Sequence, residues 1–80
     1  MQQNIKNLIF ADFCRNVKRL RRAHKLTQQE LADIMGIEKA AARRLEAGIV
    51  PQMIRSSALL HLAQYFQLEL YQLFLPDGQS

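Results

Sequence analysis

Cysteine, proline and glycine are scarce in this chain, and basic residues are missing from its end. Of 80 residues, one is cysteine, two are proline and three are glycine. A lone Cys14 cannot close an internal disulfide, and with only His24 and His61 as imidazoles it has no companions at zinc-site spacing. A reducing, cytoplasmic setting suits such a chain, and no metal, cofactor or small-molecule ligand is expected. There is no glycine-rich phosphate loop. Ser57 and His61 stand at i and i+4, but no acid completes a triad, so a polar helix face is the better reading and an enzyme is not expected. No apolar run approaches membrane-spanning length, and the start MQQNIKNLIFADF has neither the basic region nor the long apolar run of an export signal. These absences lead us to expect a soluble, unexported protein with no membrane partner. No repeat or low-complexity segment interrupts it.

What is present fits one small domain spanning 1–80, since 49% of the residues are apolar and can build a single modest core. The net charge is +4, and its distribution says more than its sum, because all eleven Lys and Arg lie between Lys6 and Arg55. Beyond Arg55 the only charged residues are Glu69 and Asp77. A basic region beside a neutral or acidic one suits a polyanion on one side and an apolar neighbour on the other. A solubilising excess of charge is the plainer alternative.

Residues 27–48, TQQELADIMGIEKAAARRLEAG, hold two short helical patterns joined at Gly36. Thr27 suits an N-cap, and Glu30 three residues on completes a capping box. Leu31, Ala32 and Met35 fall at helical spacing, and Gly36 stands where a left-handed residue ends the helix at little cost. Ile37, Ala42 (or Ala41) and Leu45 form the buried stripe of a second helix over about 38–47, with Gly48 again at the stop. The pattern is that of a helix-turn-helix.

On these residues the chain resembles the phage-repressor and Cro-like (Xre-type) helix-turn-helix proteins. Thr27, Gln28, Glu30, Leu31, Ala32, Gly36, Ile37, Leu45, Glu46 and Gly48 occupy the family's places, and the likeness extends upstream through Val17, Leu20 and Arg21 and downstream from Leu59 to Phe74. The resemblance implies an all-α fold, a compact five-helix lambda-repressor-like DNA-binding domain, here with an extended first helix. It implies a transcriptional regulator that binds double-stranded DNA, with a homodimer as the expected assembly. A protein-interaction module or antitoxin-like subunit on the same fold is the alternative.

Around the motif, Ile5, Leu8, Ile9, Phe13, Val17 and Leu20 recur at helical spacing after Asn4, a possible N-cap, and predict a first helix to about Ala23. Family members begin this helix later, so 4–12 reads as an N-terminal helical extension, covered either by the domain's own last helix or by a partner subunit. Lys25 departs from the Gly or Asn frequent at this helix end, and predicts a reshaped or strained turn. His24 reads as a surface residue. The segment from Ile49 to Ile54 is longer than the usual family spacing and is apolar until Arg55. A fourth helix follows from Arg55 or Ser56 to Tyr65 or Phe66, with Leu59, Leu62, Ala63 and Phe66 inward. A short fifth helix begins at Leu68 or Glu69 with Leu70, Leu73 and Phe74 inward; Pro76 stops it, and 76–80 is a tail in which Asp77-Gly78 makes a turn.

The resemblance also assigns roles. Thr27, Gln28 and Gln29 at the start of the motif are expected to meet phosphate, with Arg19, Arg22 and Arg55 as further phosphate contacts. Glu38, Lys39, Ala40, Arg43 and Arg44 are the expected base-facing positions of the recognition helix. Lysine or arginine there favours guanine, alanine offers a methyl group to thymine, and Glu38 accepts from cytosine or merely favours a helix N-terminus. Arg21 and Glu46 are expected to form a structural ion pair bracing the first helix against the recognition helix. Leu68, Tyr71, Gln72 and Leu75 are candidates for a dimer interface, with ordinary core closure as the alternative.

Overall fold

The structure is a computed structural model that describes residues 5–49 and 54–76, and side chains from Phe10 onward. Asn4 as a cap, the side chains of the extension, Val50 to Met53 and the Asp77-Gly78 turn lie outside the described residues. Four α-helices and one 3₁₀ helix follow in order: α1 (Ile5–Ala23), α2 (Gln28–Met35), α3 (Lys39–Glu46), α4 (Ser56–Phe66) and a 3₁₀ helix (Leu70–Phe74). Among the described residues there is no strand, and no helix is long and apolar enough to cross a membrane.

Each α-helix contributes its apolar stripe to one core. Phe13 and Val17 of α1, Leu31 and Ala32 of α2, Ala42 of α3, Leu62 of α4 and Leu73 are all fully buried. Small side chains matter where helices meet: Ala32 and Ala42 have no exposed surface, so α2 and α3 can approach closely. Ala58 joins this core at 2% exposure, while Leu59, expected inward, is only half-buried.

All four α-helices stop in the same way. In each, the amide that directly follows a left-handed residue returns to a carbonyl five residues back: Leu26 N to Arg21 O at 2.9 Å, Ile37 N to Ala32 O at 3.0 Å, Ile49 N to Arg44 O at 3.0 Å and Leu68 N to Ala63 O at 2.9 Å. This Schellman arrangement needs a left-handed residue at the pivot. Gly36 (φ 75°) and Gly48 (φ 87°) supply it without a Cβ penalty, but Lys25 and Gln67 do the same work at φ 57°. Of the reshaped or strained turn expected at Lys25, the second is found: a strained residue in an ordinary geometry. Leu26, just beyond it, packs against the core, and this holds the turn in place.

The short fifth helix is present as expected, except that Leu70 does not face inward. It is a five-residue 3₁₀ helix, preceded by extended Glu69 and followed by extended Leu75, and so too short to build a ladder of α-helical bonds. Leu73 is buried and Phe74 half-buried, whereas Leu70, expected inward, is 38% exposed at the first position of the element. What fastens the element is α1. Phe74 stacks on Phe13 with centroids 5.0 Å apart, and Phe10 meets both rings edge-on at 5.6 and 5.9 Å. Beside this triangle Asn16, 1% exposed, donates through Nδ2 to the carbonyls of Leu73 at 2.8 Å and Leu75 at 2.7 Å. One buried amide thus satisfies two carbonyls of a segment too short to satisfy its own.

Two outcomes follow from this packing. A left-handed non-glycine residue costs about 1–2 kcal/mol, and glycine returns part of that as unfolded-state entropy, so Lys25→Gly and Gln67→Gly should each raise stability by about 0.5–1 kcal/mol. The two gains should add in urea unfolding. Cys14 is 2% exposed, and burial pushes its thiol pKa up, only partly countered by the Arg15 charge. It should therefore resist alkylation near neutral pH and become labelled only at the rate at which the chain opens, which a denaturant series of thiol-labelling rates would show.

Candidate nucleic-acid interface

The site is built on α2 and α3, and local sequence fixes both starts. Thr27 Oγ1 accepts from Glu30 N at 3.0 Å, and Thr27 N donates to Glu30 Oε1 at 2.8 Å, closing the capping box. α3 opens at Glu38, whose exposed side chain makes no capping bond while its carbonyl accepts from Ala42 N at 3.1 Å. An unused carboxylate at a helix start is favoured by the helix dipole alone.

Along α3, Ala42 and Leu45 point to the core, and Lys39, Ala40, Arg43 and Arg44 are all exposed. Lys39 and Arg43 stand four residues apart, as do Ala40 and Arg44, so the four make two adjacent rows on one face. That face carries three cations and one methyl group, with Glu38 at its leading edge. A cationic helix surface of this width can meet phosphate oxygens or the acceptor edge of guanine.

Behind the face lies a buried network. Arg21 Nε donates to Glu46 Oε2 at 2.5 Å and Nη2 to Oε1 at 3.0 Å, a two-pronged pair from α1 to the last residue of α3. Arg21 Nη1 donates to Leu26 O at 2.8 Å, in the turn leading into α2. Glu46, with its side chain 3% exposed, also accepts from Gln28 Nε2 at 3.2 Å. One carboxylate thus gathers the end of α1, the start of α2 and the end of α3. Gln28, expected to meet phosphate, is half-buried with one amide hydrogen engaged. Gln29 is exposed and donates to Asp33 Oδ1 at 3.0 Å within its own helix.

The remaining basic candidates lie on α1 and at the start of α4. Arg19 lies two residues from Arg21, about 200° around the helix, and emerges on the other flank of α1. There its Nη2 donates to Asn16 Oδ1 at 3.0 Å, on the side that carries the 3₁₀ helix. Arg15, Lys18, Arg19 and Arg22 line one open groove on α1, and Arg15 also pairs with Asp12. Arg55 is exposed at the cap position of α4. The i, i+3, i+4, i+7 spacing of the groove residues was legible as a polar face; Asn16 between them gave no sign of its buried role. Of the interface candidates near the chain end, Tyr71 is 63% exposed, Leu68 and Leu75 are half-buried, and Gln72 Oε1 accepts from Glu69 N at 2.8 Å.

Removing one partner of the buried pair leaves the other charge without compensation, which costs about 3–5 kcal/mol. Arg21→Met should therefore destabilise the chain by that amount in urea unfolding. The double substitution Arg21→Met with Glu46→Leu should recover most of the loss, since two apolar side chains leave no orphaned charge.

The comparisons agree with this geometry. A family model described as helix-turn-helix matches residues 17–73, more than half of the chain. No curated protein and no solved structure matches it. Members of that family are DNA-binding, non-enzymatic domains of transcriptional regulators. The matched span takes in Arg21, the whole of α2 and α3, α4 packed on α2, and the 3₁₀ helix as far as Leu73. With its capping box, its left-handed Gly36 and its all-helical core, the chain belongs to the phage-repressor and Cro-like (Xre-type) helix-turn-helix family.

Proposed function

We propose that this DNA-binding domain recognises specific sequence by laying the exposed face of α3 in the major groove, and that it acts as a symmetric dimer. The observation that carries the proposal is the two-row face of Lys39, Ala40, Arg43 and Arg44 on a helix whose rear is locked to α1 and α2 through Glu46. A rigid, cationic helix can hold base-edge contacts in register, and lysine or arginine at these places selects guanine through O6 and N7. Ala40 lets the helix sit close to the bases. Gln28 and the free amides of the first turn of α2 face the backbone of the same groove and set the docking angle. Two copies would read half-sites about 34 Å apart. Regulation then works by occupancy, blocking or recruiting polymerase.

A second reading, a protein-interaction module, draws on the exposed apolar side chains Ile49, Leu60, Tyr65 and Tyr71. Fluorescence anisotropy separates the two. A mixed-sequence duplex titrated at several salt concentrations should bind with a steep salt slope, and a duplex selected from random sequence should bind more tightly. On the selected duplex, Lys39→Ala with Arg44→Ala should cost about 1–3 kcal/mol per lost contact. Absence of duplex binding at low salt would hand the function to the interaction reading.

A further inference from the structure

We propose that Glu46 is a positioning residue for DNA binding: it sets the side-chain amide of Gln28 in the pose that grips phosphate, and so ties the grip to the recognition helix. The inference rests on the reading above that the first turn of α2 meets the DNA backbone.

A glutamine at the first position of a helix is normally a mobile side chain with several rotamers open to it. Here Nε2 of Gln28 donates to Glu46 Oε1 at 3.2 Å, and the residue is half-buried. An amide nitrogen carries two hydrogens, so one fixes the plane of the group while the second stays available to a phosphate oxygen. The anchor itself cannot swing. The Glu46 side chain is 3% exposed and is held by two bonds from Arg21, whose third nitrogen is held by Leu26 O at 2.8 Å. Gln28 is therefore fastened both to the last residue of α3 and, through Arg21, to the turn that leads into its own helix.

Charge makes the arrangement workable. A bare carboxylate behind a phosphate contact would repel the phosphate, but the guanidinium of Arg21 neutralises Glu46 at contact distance, so Gln28 presents a donor against a neutral background. Ordering of the amide is completed on folding and does not have to be supplied on binding. The neighbouring Gln29 lacks this link, since its amide bonds Asp33 one turn along α2.

The test is a double-mutant cycle on the full chain, read by anisotropy with a mixed-sequence duplex at several salt concentrations, at a temperature where circular dichroism shows every variant folded. Gln28→Ala should weaken binding about tenfold, the loss of one hydrogen bond to a charged group. Glu46→Gln leaves one carbonyl oxygen where Arg21 and Gln28 need two acceptors, and should weaken binding to a similar extent. The double variant should be no weaker than either single one. The slope of log affinity on log salt should stay at the wild-type value, because no cation has been removed. If Glu46→Gln does not fold, Glu46→Asp, which keeps the charge but withdraws it by one methylene, is read in the same way. Wild-type affinity in the Glu46 variant, effects that multiply in the double variant, or a steeper salt slope from a freed Arg21 would each overturn the proposal. A wild-type chain that binds no duplex at low salt removes the major-groove reading and this inference with it, and is told apart from the other outcomes by the wild type alone.

Discussion

The pair between Arg21 and Glu46 is the constraint on which the arrangement of α1, α2 and α3 depends. Apolar packing alone does not fix the angles of the two short helices α2 and α3 against α1, because alanines such as Ala32 and Ala42 tolerate sliding. A planar guanidinium with bonds at 2.5, 3.0 and 2.8 Å to two separate segments does not. Its cost is the desolvation of two charges, and its return is a single geometry. The capping box at Thr27 and the left-handed Gly36 set where α2 begins and ends; the ion pair sets where it points.

The legible part of the structure was the part governed by short-range rules. Thr27 with Glu30, Gly36, Gly48 and the apolar spacing of α2 and α3 announce themselves within a few residues, because caps and periodicity are local. Lys25 was legible as a misfit, although not as the pivot of an otherwise ordinary helix stop. Gln67 carried no warning, since nothing in its neighbours demands a left-handed residue until Leu68 is seen returning to Ala63. Asn16 was the most hidden. Its partners lie 57 and 59 residues away, and between Arg15 and Arg19 it reads as one more polar residue on a charged face. The short fifth helix was legible, but the outward placement of Leu70 was not, for a related reason: the docking of that element is dictated by Phe10, Phe13 and Asn16, not by its own period.

Charge on this chain has two distinct physical settings. On α3 the cations share their face with alanine and lie above a buried carboxylate already satisfied by Arg21, so the face is positive without strain behind it. On α1 the groove of Arg15, Lys18, Arg19 and Arg22 faces away from the core, and two of its members are drawn back to the protein by Asp12 and Asn16. Of the eleven Lys and Arg, three belong to the first setting and four to the second, and the first backs onto the Arg21–Glu46 pair.

The clasp between α1 and the 3₁₀ helix has a kinetic meaning. Asn16 and Leu73 close a loop that contains almost every other element of the domain, while α2 and α3 meet within a few residues of each other. Loop-closure entropy grows slowly with length but must be spent before such a contact gives anything back. The helix-turn-helix can therefore assemble early as a local unit, with the aromatic triangle fastening last. During synthesis the same order holds for a simpler reason: until residues 70–74 leave the ribosome, Phe13 lacks the Phe74 ring on which it stacks, so α2 and α3 emerge before the domain can be sealed.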